Sequence, residues 1–434
     1  MSAAVDQNAA LRSFEATWRA RPADALTALH TEAMERFLAL GLPTSRDESW
    51  RYTTLRSIAA RGFVDAAPAP AARASWLAAA GAEPLEIVNG YARLDERAAP
   101  RDPAYEALSL RSIAERDPAF LATRIAPLTD AEDERWTLLN RALFVDGIHL
   151  RISGRVAAPI LIVHSAESAR DDAAIHSRVI VEAEAGGEAT IIEHQLGGAG
   201  HNTLVNHATQ IELAAGASIE HYRIFSGDER STHFDALSVA QSADSRCRQF
   251  TVALGGALVR ANLRTQLDGS GAGHDSYALL VGQGARQVDC VNTVVHAASR
   301  TTSRQTARAL GAGSSRVVFN SKVIVAEGTT GADSRQSCRG LLLSPAAEID
   351  TRPQLEIFSD EVKCSHGATI GRLDENMLFY LLSRGIERPA ARTLLIYAFL
   401  DDVLTGMSVQ AARRSIEEAL IGELPDPELL RTFR

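Results

Sequence analysis

From about residue 156 to residue 370 the chain repeats one local pattern, a short run of alternating apolar and polar side chains closed by a small turn. Val179, Val181 and Ala183 alternate with polar neighbours, as do Phe250, Val252 and Leu254, and then Val259, Ala261 and Leu263. Successive strand residues point to opposite faces, so this alternation turns one face of each strand inward. The turns between are Ala185-Gly186-Gly187, Ala214-Ala215-Gly216, Gly269-Ser270-Gly271, Gly282-Gln283-Gly284 and Gly311-Ala312-Gly313. No proline interrupts the stretch between Pro159 and Pro345, which leaves every amide donor to the ladders. About 200 residues of short strands can build a sandwich pair, a barrel or a β-helix. Two turns resemble each other: AGGEATIIEH ends in Glu193-His194, and AAGASIEH ends in Glu220-His221. The step from the first doublet to the second lies in the range of solenoid coils. Aromatic residues make up only 6% of the chain, and small aliphatic residues suit thin stacked coils. The pattern predicts a mainly β chain and favours a β-helix over the sandwich and the barrel, with His194 and His221 the histidines best spaced to stack in adjacent coils as ordinary polar solenoid residues.

The flanks read differently. Up to residue 65, Leu26, Leu29, Ala33, Phe37 and Leu40 recur in steps of three and four, the spacing of one helical face, and Gly41 and Pro43 end that helix. Residues 66–155 form a linker rich in Ala and Pro followed by a mixed segment. The β-helix spans 156–370. Residues 371–434 return to helix: Asp374 caps a helix through Ser383 with Gly385 as its stop, and Pro389 opens a second through Leu404. Ser408 caps a third, closed by Gly422 and Pro425.

Composition narrows the function. The net charge is −9, and no Lys/Arg block stands out, which argues against nucleic acid and an anionic membrane as partners. The four cysteines, Cys247, Cys290, Cys338 and Cys364, are widely spaced and form no CxxC, so a reduced, cytoplasmic compartment is expected. The opening residues lack a secretory pattern. The densest apolar run, Leu394–Leu400, is too short to span a bilayer. No GxxxxGK[ST] occurs, so no nucleotide is expected on this chain.

Two tracts carry a resemblance. One is PTSRDESWRYTTL, Pro43–Leu55. The other is LLLSPAAEIDTRPQLEIFSDEVKCSHGATIGRLDENMLFYLLSRGI, Leu341–Ile386, preceded by VVFNSKVIVAEGTTGADSRQ, Val317–Gln336. Together they resemble the SufB/SufD family of iron–sulfur cluster assembly proteins. The tract Cys364-Ser365-His366-Gly367 is nearer the SufD branch, because SufB proteins tend to carry Glu at the position of Gly367. Ser321 stands where the family often has Gly. The resemblance implies a right-handed parallel β-helix flanked by helical N- and C-terminal regions. It also implies a non-ATPase scaffold subunit that pairs with a SufB-type paralogue along the β-helix and with a SufC-type ABC ATPase at the C-terminal helices. A transient iron–sulfur cluster would be shared with SufB, with help in iron acquisition as a further implied role. A homodimer of the chain in isolation is compatible with the same fold.

Cys364 and His366 are the sharpest candidates for the cluster site. They lie two apart in an expected strand and so face one way. A thiolate and a neutral imidazole both suit iron, and two ligands of the usual four leave the rest to a partner. Spacing alone is better served by a buried small cysteine and a surface histidine; the flanking tract reverses that preference in favour of ligation. Lys363, beside Cys364, should point to the opposite face. Cys247, Cys290 and Cys338 read as structural, and His296 sits in a polar tract of unassigned role. Asp360 and Glu361 are adjacent, face opposite ways and read as a solvated turn. Partner contacts are expected at Arg384, Gly385 and Ile386 and on the helix bearing Leu394, Leu395, Ala398 and Phe399, whose wide apolar face serves packing on the body equally well. Two rival readings are a SufB-like main scaffold acting as a homodimer and a β-helix carbohydrate-active enzyme. The second would need paired carboxylates along a groove.

Overall fold

The computed structural model describes residues 8–70, 74–77, 84–95, 102–125, 133–167, 170–198 and 200–423. Parts of the Ala/Pro-rich linker, the opening residues and Pro425 lie outside the described residues. The chain opens with α1 (Ala9–Ala20), α2 (Thr27–Leu40) and α3 (Arg56–Ala59). The mixed segment contains β1 (Val64–Asp65), β2 (Leu85–Val88), β3 (Tyr91–Arg93), β4 (Tyr105–Ser109), α4 (Leu110–Arg116), α5 (Pro118–Arg124) and α6 (Arg135–Leu143).

Sixteen strands follow. They are β5 (Asp146–Ile152), β6 (Ile160–Ser165), β7 (Ala173–Ala183), β8 (Glu188–Gln195), β9 (Thr203–Leu213), β10 (Ser218–Phe225), β11 (Ser231–Gln241) and β12 (Arg246–Ala253). Then come β13 (Leu258–Leu267), β14 (Gly273–Gly282), β15 (Gln287–His296), β16 (Thr302–Gly311), β17 (Arg316–Val325), β18 (Ala332–Leu342), β19 (Glu348–Ile357) and β20 (Val362–Gly371). Odd-numbered strands stack in one parallel sheet and even-numbered strands in the other, so each consecutive pair makes one coil of a parallel β-solenoid with about eight turns. The expected β-helix is what the chain forms. Gly186, Gly216, Gly271, Gly284 and Gly313, read from sequence as turn residues, all take positive φ.

The coil step is longer than the Glu-His repeat suggests. Glu188 faces Ser218, and Ser218 in turn faces Arg246. His221 therefore pairs with Ile191, and His194 pairs with Ile224. The expected stacking of His194 on His221 does not occur, because the two doublets are out of register by an odd number of positions, which puts the rings on opposite faces of the sheet.

Both faces of each sheet are largely buried, which the alternation rule alone does not foresee. Val179, Val181 and Leu263 do line the interior, but Phe250, Val252 and Leu254 point outward. There they meet the C-terminal helices α8 (Arg388–Leu404) and α9 (Gln410–Gly422), and α7 (Glu375–Ser383) packs on α8. Tyr222, Phe250 and Tyr277 form a stacked ladder on this outer face, with ring centroids 4.9 and 4.7 Å apart, and Ile396, Leu400, Val403 and Leu404 of α8 cluster with it. Asp374 caps α7 through the amides of Asn376 and Met377, and Gly385 ends it, as expected. Ser408 does not cap α9; its hydroxyl donates instead to Glu220 at 2.8 Å and fastens the helix to the sheet.

On the other sheet, Phe14, Phe37, Trp50 and Trp136 cover Leu204, Phe234 and Leu258. Leu40, placed on the buried face by its spacing, is 45% exposed because it ends the helix beyond that cluster. The tract Pro43–Leu55 is a clamp in this layer. Trp50 lies against the guanidinium of Arg260, 3.9 Å from its ring centroid, and Arg260 and Thr53 both donate to Asp289. No described helix is long and apolar enough to cross a membrane.

The two ends of the solenoid differ. At the N-terminal end β3 pairs antiparallel with β2, and β4 with β5, so each sheet finishes on a short strand of reversed direction. At the C-terminal end β19 and β20 are the last strands of their sheets.

Candidate functional site at the open coil

Cys364 and His366 lie on β20, the terminal strand. Their register partners on β18 are Ser334 and Gln336. Both side chains point to the interior side of the coil, about 6.6 Å apart along the strand at the usual strand rise. Cys364 is half-buried at the margin of a small cluster of Val323, Val325 and Ala332, whereas His366 is exposed, as are the residues from Ser365 to Gly371. Burial raises the Cys364 thiol above its ordinary value, although a hydrogen bond from the Ser334 backbone opposes the shift. The unliganded group is thus a thiol that a metal cation would have to deprotonate on binding. Lys363 is exposed and points away from that side, as its position predicts.

The other cysteines are of a different kind. Cys247, Cys290 and Cys338 are buried, and burial pushes each thiol up to about 12. They are packing residues. His296 is also interior, bonded to Thr301 and Ser303, and so does not reach any surface. Asp360 and Glu361 are exposed in the turn between β19 and β20.

Two in-register columns run inward from the candidate pair. One is Cys364, Ser334, Ser303, His274 and Cys247; the other is His366, Gln336, Gln305, Ser276, Gln249 and His221. They end near a polar hub that the sequence announces only through its Glu-His repeat. In this hub the buried Glu193 carboxylate accepts from His164 at 2.9 Å, His207 at 3.0 Å, His221 at 2.8 Å and Thr209 at 2.8 Å. Burial alone would raise this carboxyl, but the three imidazole hydrogen bonds outweigh it and hold the group well below the ordinary carboxylate range. The missing signal was spacing: His164 and His221 stand 29 and 28 residues from Glu193, one coil to either side.

The helical candidates separate. The buried stripe of α8 is Ala391, Ile396, Leu400 and Val403; Leu394 and Phe399 flank it against the body, Leu395 is partly covered, and Ala398 is exposed. Arg384 and Gly385 are exposed at the end of α7, Arg384 with its guanidinium 5.2 Å from the Tyr380 ring centroid, and Ile386 is partly buried. The largest exposed apolar side chains of this end are not singled out by the sequence: Met377, Phe379 and Tyr380 on α7, with Phe358 beside β19. Their helical spacing reads as ordinary core, and only the packing of α8 reveals that α7 presents this face to solvent.

The model of the SUF system FeS cluster assembly SufBD core domain matches residues 164–399, more than half the chain. The chain belongs to the SufB/SufD family. It is 29% identical to the iron–sulfur cluster assembly protein SufD of Escherichia coli over 90% of this chain and 92% of that protein. A SufBD family protein of Synechocystis is 29% identical over 84% of each chain, and SufD of Bacillus subtilis 25% over 66% of each. The matched region of this SufB/SufD chain contains the polar hub, the open coil and most of α8. Nothing lies within 4 Å of a β-carbon built at Gly367. Gly367→Glu should therefore change the unfolding free energy by no more than about 0.5 kcal/mol, measured by urea titration, so that any effect of this change on assembly is read as one on the interface.

Proposed function

We propose that the chain is a SufD-type scaffold subunit that offers Cys364 and His366 to a nascent iron–sulfur cluster shared with a SufB-type paralogue. The cluster is cargo, built and passed on. The single observation that carries the reading is the position of the pair: both residues sit on the last strand of the solenoid, facing one way, on a coil with no strand paired beyond it among the described residues. Two ligands cannot hold a cluster that takes about four, so the remaining ligands come from the partner that covers the coil. A parallel ladder with an unpaired edge is also a ready surface for strand addition.

In this reading the exposed face of α7, with Arg384, Gly385 and Ile386 after it and Leu394, Leu395, Ala398 and Phe399 on α8, receives a SufC-type ABC ATPase. Nucleotide hydrolysis belongs to that subunit, this chain acts without catalysis of its own, and the complex works in the cytoplasm. Anaerobic co-purification with SufB and SufC partners tests it. Cys364→Ala and His366→Ala should leave the complex intact and lower bound iron and acid-labile sulfide at least fivefold. Normal loading of both variants would reduce the two residues to interface packing.

A further inference from the structure

The polar hub is remote in sequence from the open coil and unused by the function proposed for it. Its two carboxylate oxygens have different surroundings. Oε1 of Glu193 accepts from His221 Nε2 and Thr209 Oγ1, which fix the carboxylate in place. Oε2 faces His164 Nε2 at 2.9 Å and His207 Nε2 at 3.0 Å, and the three ligand-capable atoms lie within 4.8 Å of one another. His207 is oriented from behind by Ser177 Oγ, 2.9 Å from its Nδ1. His164, Glu193 and His207 come from β6, β8 and β9 and are all buried. The Nδ1 atom of His164 is buried with no hydrogen-bond partner, so that ring is held only from its Nε2 side. A cavity of about 10 Å³, at the lower limit for one water, borders His164 and Ser177 but not Glu193 or His207.

We propose that His164, Glu193 and His207 form a structural or storage site for a first-row divalent cation, Zn²⁺ or Fe²⁺, inside the solenoid. Two imidazoles and one carboxylate are a complete protein ligand set for such an ion with a fourth, open position for water. Glu193 Oε2 lies 2.9 and 3.0 Å from the two imidazole nitrogens, and a cation some 2.0–2.1 Å from each ligand would draw the three atoms into its own coordination geometry. Ser177, Thr209 and His221 then do what outer residues do at metal sites, fixing ring and carboxylate orientation. Glu193 and its donors are all buried, and the nearby Asp235 is paired with Arg223 rather than with the hub.

The test uses the full-length chain purified from cells grown with added Co²⁺, and separately with Zn²⁺ and Fe²⁺ under anaerobic conditions. The expected result is one tightly held equivalent, with the visible absorption of four-coordinate Co²⁺. It should be retained in the Cys364→Ala/His366→Ala double variant, so the open coil is not its source. His207→Gln should weaken Co²⁺ binding at least 100-fold and Thr209→Val about 10–100-fold, each checked for folding by circular dichroism. If the His207 variant does not fold, anomalous scattering from crystals of the wild-type chain decides: a peak between His164 and His207 upholds the site. Wild-type protein that holds no stoichiometric metal, or a folded His207 variant that holds as much, overturns it and leaves a hydrogen-bonded carboxylate alone.

Discussion

Between pH 8 and pH 5.5 the chain should lose on the order of 7 kcal/mol of stability, with several protons taken up on unfolding at the lower pH. The cause is a set of imidazoles that burial keeps neutral: His30, His233 and His296 are lowered to about 4, and His176 and His274 to about 3. An unfolded histidine titrates near 6.5. Above that value neither state binds the proton, and the folded chain keeps its full stability. As the pH falls below 6.5 the unfolded chain takes up protons that the folded one refuses, at about 1.4 kcal/mol per group and pH unit, until the folded pKa is reached. The loss therefore runs from about 6.5 down to between 4 and 3. Urea titrations at pH 8, 7, 6 and 5.5 measure it directly. A midpoint that stays constant across that range would show that these rings titrate normally in the folded chain.

Asp289→Ala should destabilise the chain by about 3–5 kcal/mol. Arg260 and Asp289 are each 1% exposed and form a buried ion pair, with Thr53 as a second donor to the carboxylate and Trp50 stacked on the guanidinium. Removing the carboxylate strands a buried cation, and that penalty, rather than the worth of the pair, sets the size of the effect. Replacing both partners by apolar residues, as in Arg260→Met/Asp289→Leu, should recover most of the loss. Equal losses in the single and double variants would mean that the damage is loss of packing under Trp50. Because Thr53 and Trp50 belong to the N-terminal tract, Asp289→Ala should also loosen α1–α3 and speed proteolysis on the N-terminal side of Arg61.

Much of the solenoid is legible because its turns are written in glycine and its strands in alternation. Gly186, Gly216, Gly271, Gly284 and Gly313 mark five turns without any knowledge of the partner strand. What stays hidden depends on register. The Glu193–His194 and Glu220–His221 doublets look alike locally, yet the ladder sets them out of step and gives Glu193 to His164, His207 and His221 instead. The outward face of Phe250 and Val252 escapes the sequence for a related reason: alternation tells which residues share a face, not whether helices far along the chain will cover it. Cys364 and His366 stand out through the tract around them, and their shared face follows from strand parity alone. Their place on the final coil needs the whole topology.

The unequal ends of the solenoid bear on how large an assembly it can join. A rod with templating surfaces at both ends is a monomer for polymerisation, each unit adding head to tail without limit. Here one terminus is blunted by short reversed strands, which accept no parallel neighbour in continuous register. The parallel edges left unpaired among the described residues lie at the end bearing Cys364 and His366. If a second rod adds to that edge as proposed above, the blunted terminus of each leaves no parallel edge to extend, and the sheet edge that would seed a fibre instead closes a finite particle.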